Sequence, residues 1–152
     1  MTVERIFVAG RPGEAQLEVR SINVVAGAGI EGDRYFGAKE EPGQNITLVE
    51  AEELEAFNAE TGENLAPSCS RRNLITRGVR LAELVGKLFT IGTVRMRGVE
   101  LCEPCLGFGG RLASAHFAPA AVVKRFVHRA GIRADILSTG TIAAGASIAH
   151  AT

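Results

Sequence analysis

Two thiols close together, in the run Cys102-Glu103-Pro104-Cys105, are the residues of this chain best suited to chemistry. A thiolate is a soft donor that can attack, carry sulfur or bind a soft metal. The run follows residues 94–101, where apolar residues fall at Val94 and Met96 and then at Val99 and Leu101. That change of parity at Gly98 predicts a β-bulge. Pro104, which has no N–H, would end the sheet ladder. If the extended path continues, Cys105 shares a face with Val99 and Leu101 while Cys102 points the other way. Zinc is a competing use, but one C-x-x-C supplies two ligands where a structural site takes four. Cys69, His116, His128 and His150 have spacings that form no second pair. A thioredoxin-like dithiol needs a helix opening at its first cysteine, and no helix signal stands there. Cys69, in a Pro-Ser-Cys-Ser loop, reads as incidental.

Two arginine-bearing segments could build a pocket around such a thiol. Gly27-Ala28-Gly29-Ile30-Glu31-Gly32 matches the dinucleotide-binding G-x-G-x-x-G string, yet a charged loop through Glu40, Glu41, Pro42 and Gly43 follows it instead of a helix. Without a helix N-terminus to face a pyrophosphate, the match is a decoy. Glycines 29, 32 and 37 instead let the backbone turn sharply around Asp33-Arg34. There Asp33 could orient the Arg34 guanidinium toward an anion, or simply stitch the turn. In Arg71-Arg72-Asn73-Leu74-Ile75-Thr76-Arg77-Gly78, extended backbone would send adjacent arginines to opposite faces, so at most one would face a pocket. An inward Arg72 would align with the Thr76 hydroxyl, and Asn73 could cap a turn or hold a ligand's polar edge. Taken alone, the stretch reads as an edge strand with solvated arginines.

The elements that must hold these residues are mostly short strands. Residues 5–9, 17–25, 45–49, 88–91, 94–101, 132–137 and 141–148 carry β-branched or alternating patterns bounded by glycine or proline. Helices are predicted over residues 50–61, with Gly62 as C-cap, and over residues 119–130 behind Pro119, with Gly131 as terminator. In the second, Val122, Val123, Phe126 and Val127 make the buried face. A short helical turn is predicted at residues 81–85. Strands with helices inserted between them point to a β-rich α+β fold, a closed or partly closed barrel with peripheral helices. No crossover helix is evident between Gly10 and Asn45, which argues against a βαβ order.

Composition narrows the function classes. The chain has 152 residues, which fits a single domain over 1–152, with 17 basic and 17 acidic side chains and no net charge. Bulk electrostatics therefore call for neither nucleic acid nor membrane, and the absence of tryptophan weakens any case for base stacking. Arginine far outnumbers lysine, and its planar fork suits bidentate contact with phosphate or carboxylate. Three cysteines with no secretory signal and no membrane-length apolar run fit a reducing cytoplasm.

Taken in order, several segments resemble the MOSC domain, named for the C-terminal part of molybdenum-cofactor sulfurase. They are Gly29-Ile30-Glu31-Gly32-Asp33-Arg34, Arg71 through Gly78, Leu84-Val85-Gly86-Lys87-Leu88-Phe89, Ile91-Gly92, Leu101-Cys102-Glu103-Pro104-Cys105 and His128-Arg129-Ala130-Gly131-Ile132-Arg133-Ala134. The resemblance implies a β-barrel of the pyruvate-kinase-like type with peripheral helices. It implies a pocket cysteine, by position Cys105, that carries sulfur or ligates molybdenum. It implies molybdopterin as cofactor, with Gly32, Asp33, Arg34, Arg72, Asn73 and Thr76 at the positions that face the pterin and its phosphate. The expected role is a sulfur carrier or cofactor-handling module fed by a pyridoxal-phosphate-dependent cysteine desulfurase. The alternatives are a molybdenum-cofactor-dependent reductase of N-hydroxylated compounds, served by an electron-transfer partner, and a non-catalytic domain for an anionic small molecule. A homodimer would close the pocket. Three departures stand out: Tyr35 where many relatives have histidine, neither of the extensions that reductase relatives carry, and the additional Cys69. The chain is therefore expected to be a small stand-alone member. Cys105→Ser is expected to cost far more function than Cys102→Ser.

Overall fold

The computed structural model describes residues 1–38 and 41–151, so Glu40 of the charged loop lies outside the described residues. β1 (Thr2–Val8), β2 (Leu17–Val19), β5 (Ile46–Glu50), β6 (Leu74–Arg77), β7 (Leu88–Ile91), β8 (Val94–Leu101), β9 (Ile132–Ile136) and β11 (Ile148–His150) make one sheet. Its order is β11-β7-β8-β9-β5-β6-β1-β2, antiparallel except for the β5–β6 pair. The sheet curls until β11 and β1 meet. Thr2 bridges Ser147, the Val3 and Ile148 N–H groups donate to Ala146 O at 2.9 Å and Met1 O at 2.8 Å, and Gly145 N–H donates to Val3 O at 2.7 Å. A second sheet, β10 (Gly140–Ala143), β3 (Ser21–Val25) and the short β4 (Gly29–Ile30), adds Ile22, Val24, Ile30 and Ile142 to the barrel core. The β-rich α+β fold expected from the sequence is the fold observed.

Strand alternation decides what each face buries. Ile46, Leu48 and Leu74 point into the barrel, while Val49 and Ile75 face outward beneath three helices. α1 (Ala51–Thr61) packs Leu54 and Phe57 there, α2 (Leu106–Leu112) adds Phe108 and Leu112, and α3 (Pro119–Phe126) adds Val122 and Phe126. The Phe126 ring lies 5.1 Å from both Phe57 and Phe108. No helix among the described residues is long and apolar enough to cross a membrane.

The structure refines several sequence expectations. The single strand expected over residues 17–25 breaks at Arg20, so β2 joins the barrel and β3 the small sheet. The one expected over residues 141–148 likewise divides into β10 and β11. β6 is interior, paired on both sides, with α1 inside the connection from its parallel neighbour β5, so one βαβ unit exists after all. α3 stops at Phe126 rather than reaching Ala130. Val127 leaves helical geometry, His128 takes a left-handed backbone at φ 63°, and Val127 is exposed instead of buried. α2 has no counterpart in the sequence reading, because three of its seven residues are glycine and glycine disfavours helix. Gly109 nonetheless suits it, since a Cβ there would overlap the Pro119 carbonyl of α3.

The bulge read at Gly98 is present. The β8–β9 register shifts between Gly98 and Glu100, leaving Val99 as the additional residue. Gly98 also lets the chain at Leu84 and Val85 approach so closely that a Cβ would strike the Leu84 carbonyl. Beyond the bulge the ladder ends at Leu101, before Pro104.

Candidate functional site

Where β8 runs out, a cleft of about 290 Å³ opens between the barrel end and α2, near the lower limit of small-molecule sites. Arg34, Arg71, Arg72, Arg111 and Arg133 converge on it, joined by Tyr35, Gln44, Thr47 and Cys102. Such a concentration of guanidinium groups selects an anion, above all one with oxygens that accept bidentate hydrogen bonds.

Each arginine is held by local structure. Asp33 Oδ1 accepts from Ala9 N–H at 3.1 Å and from Arg34 Nη1 at 3.2 Å. This pair is buried, its Arg34 and Asp33 side chains 5% and 1% exposed. Arg34 Nη2 donates to Arg71 O at 3.1 Å, and its guanidinium lies 4.7 Å from the Tyr35 ring centre. Arg71 has φ 58°, so it does not alternate with Arg72 as extended backbone would require, and both side chains reach the cleft. Arg71 Nη1 donates to Glu14 O at 2.8 Å, while Nη2 is buried without a hydrogen-bond partner. An orphaned buried donor beside four other guanidinium groups is what an anion would satisfy. Arg72 donates from Nε to Ala130 O at 3.0 Å and lies 5.2 Å from the centre of the Phe108 ring. Burial pushes its guanidinium below the ordinary arginine value, and burial does the same to Arg111. Both would gain from a bound negative charge.

The two cysteines occupy different environments. Cys102 follows the last β8 residue, donates its N–H to Gly131 O at 2.8 Å and lines the cleft with 3% exposure. Cys105 is exposed, sits immediately before α2 and does not line the cleft itself. The N–H group of Phe108 above all, with the N–H of Gly107 and the charge of Arg111, holds the Cys105 thiol below the usual thiol range, against the opposing effect of burial. A helix does open beside this motif, but at its second cysteine. Both thiols act on the Arg72 guanidinium, each favouring its charge against the cost of burial.

The turn after α3 fixes this arrangement. Ala130 O holds Arg72, Gly131 O holds Cys102, and His128 takes Glu103 Oε1 through its N–H and ring Nδ1, each at 3.1 Å. At Gly131, a Cβ would collide with the Leu48 carbonyl of β5.

Of the residues singled out from sequence, Arg34 and Arg72 line the cleft, and Asp33 lies behind Arg34 as its orienting carboxylate. Asn73 is buried and spoken for. Its Oδ1 accepts from the Thr47 N–H and hydroxyl, both at 3.1 Å, and its Nδ2 donates to Phe7 O at 3.2 Å. Gly32 shapes the turn and does not line the cleft. The Thr76 hydroxyl is buried and donates to Val49 O at 3.3 Å, so the structure does not bring it to the cleft. Arg71, Tyr35 and Cys102 also line the cleft, from segments the sequence had marked without assigning them to the cofactor site, whereas Arg111 and Arg133 were not singled out at all. Arg133 stands in a segment that carried the family resemblance, whereas Arg111 sits on the glycine-rich helix that periodicity could not reveal.

Among the described residues no group of three or more histidine, cysteine or acidic side chains could hold a metal ion. A metal here would therefore take most of its ligands from a bound molecule, with a cysteine as the protein's contribution. The cationic lining, the orphaned Arg71 donor and the adjacent thiols do fit an anionic cofactor with a soft metal centre.

The chain matches the MOSC domain over residues 33–149. No curated protein matches it in sequence. YuaD from Bacillus subtilis is similar in structure, with a TM-score of 0.82 at 19% identity over 97% of this chain and 93% of that one. YiiM from Geobacillus stearothermophilus gives 0.73 at 15% identity, over 99% and 75% of the two chains. YiiM from Escherichia coli gives 0.71 at 16% identity, over 100% and 70%. At such identities these likenesses speak for the fold alone. The domain match, which spans most of the sequence and includes Cys102, Cys105 and all five cleft-lining arginines, shows that this chain belongs to the MOSC domain family.

Proposed function

We propose that this protein is a sulfur-carrying, cofactor-handling MOSC domain in which Cys105 is the reacting sulfur and the arginine cleft holds the phosphate-bearing molybdenum cofactor. One observation carries the reading: an exposed thiol, biased toward thiolate, stands beside a cleft lined by guanidinium groups. Exposure lets a donor protein reach Cys105, and the nearby N–H groups and Arg111 favour its thiolate.

The thiolate attacks the terminal sulfur of a persulfide on a pyridoxal-phosphate-dependent cysteine desulfurase. A new S–S bond forms on Cys105 as the donor's S–S bond breaks, and the donor leaves as its thiolate, with no net oxidation or reduction. Arg34, Arg71 and Arg72 bind and orient the cofactor's phosphate, and Asp33 fixes the direction of Arg34. When bound, the cofactor supplies the redox chemistry of its metal. Tyr35 and the Phe108 face beneath Arg72 exclude water from part of the guanidinium surface.

A second reading is a reductase of N-hydroxylated compounds with the Cys105 thiolate on the metal. The guanidinium lining favours it, since it suits a cofactor phosphate held through turnover. The test is molybdenum content, oxidised-pterin fluorescence and intact mass of protein purified from a host that makes the cofactor. A gain of one sulfur atom that disappears in Cys105→Ser supports the carrier. Near one molybdenum per chain, lost in the same variant, supports the reductase. Protein bearing neither sulfur nor metal contradicts both.

A further inference from the structure

A carrier must move sulfur from the side a donor can reach to the side where the ligand is held. The two cysteines divide along that line. Cys105 is exposed but outside the cleft lining, whereas Cys102 is 3% exposed and belongs to the lining. A protein donor could not bring a persulfide to a thiol so enclosed, and a sulfur parked on Cys105 would remain outside the cleft. The chain between the thiols is short and pinned at both ends. Gly131 O takes the Cys102 N–H at 2.8 Å, His128 grips Glu103, and Gly109 N–H of α2 donates to Cys105 O at 2.9 Å. Arg72 lies within Coulombic reach of both sulfurs, so one cation can stabilise negative charge on either.

We propose that Cys102 and Cys105 form a sulfur relay, Cys105 accepting the sulfane sulfur outside and passing it to Cys102 inside the cleft. The inference rests on the carrier reading and adds the residue that delivers. In the transfer, the Cys102 sulfur attacks the outer sulfur of the Cys105 persulfide. A Cys102–sulfur bond forms, the bond from that sulfur to Cys105 breaks, and the Cys102 proton ends on the Cys105 thiolate. Cys102–SH and Cys105–S–SH thus become Cys102–S–SH and Cys105–SH, with oxidation states unchanged overall. The acceptor is an anionic ligand with a nucleophilic atom that attacks the outer sulfur of the Cys102 persulfide, forming its own bond to that sulfur as the S–S bond breaks and Cys102 leaves as its thiolate.

The experiment treats full-length protein with cysteine persulfide, quenches by alkylation at intervals, and sequences the tryptic peptide 98–111, which contains both thiols, by tandem mass spectrometry. In wild type the added sulfur should appear first on Cys105 and later on Cys102. Cys102→Ser should load at the wild-type rate and keep the sulfur on Cys105. Cys105→Ser should load more slowly by roughly tenfold or more, because only the enclosed thiol remains. The wild-type time course needs no variant to fold. Sulfur that stays on Cys105 in wild type overturns the relay and leaves the carrier standing. So does a Cys102–Cys105 disulfide with free sulfide, or Cys102 loading at full rate in Cys105→Ser. No uptake on any cysteine overturns the carrier reading as well.

Discussion

Asp33 shows how one carboxylate can set a whole site. It accepts from the Ala9 N–H and from Arg34, with Asn73 Nδ2 at 3.4 Å, and it has almost no contact with water. The Asp33–Arg34 neighbours and the turn glycines around them were plain in the sequence. The partners were not, because Ala9 and Asn73 reach Asp33 only through the sheet. Removing one member of a buried pair leaves the other charge uncompensated, so Asp33→Ala should destabilise the fold by about 3–5 kcal/mol. Urea denaturation would measure it, and a loss no larger than that of an exposed substitution would mean Asp33 is not the anchor described. Cys105→Ser, at an exposed position, should change stability by no more than about 0.5 kcal/mol in the same assay.

At the level of elements, legibility followed periodicity. β7 and β8 were read from sequence to the residue, because alternation marks them, with glycines around β7 and Pro104 beyond β8. α2 escaped because glycine is a poor helix former, yet its glycines permit close packing on α3. That blind spot hid Arg111 and the N–H groups that act on Cys105, the part of the site most relevant to reactivity. Extended-chain reasoning also assigned Arg71 and Arg72 to opposite faces, where a left-handed residue brings both to the cleft. Gly109→Ala must push the helices apart or strain the turn and should cost about 1–3 kcal/mol. A thermal melt tests this, and an unchanged melting temperature would show that the contact is not tight.

For the whole molecule, curling the sheet until β11 meets β1 leaves one barrel end free for the cleft, with the helices buried against the outer wall. The barrel class was legible from the number and shortness of the strands, but its closure through Met1–Val3 and Gly145–Ile148 is a long-range contact without a local signature. Charge collected from β9, α2 and two loops makes anion binding a property of the folded chain. Inorganic pyrophosphate should therefore raise the melting temperature, by about 2.7 kcal/mol of stability at a hundredfold excess over its dissociation constant. The gain should shrink with added salt and with Arg72→Ala. Equal shifts in wild type and variant would place the anion elsewhere. The same fold should govern the thiol, so the most direct measurement is the pH profile of Cys105 alkylation, followed by mass spectrometry in native and urea-unfolded protein. The native midpoint should lie below the unfolded one, because the N–H groups of Phe108 and Gly107 and the charge of Arg111 stabilise the thiolate only when folded. Midpoints that coincide, or a native midpoint above the unfolded one, would contradict an activated sulfur at this site.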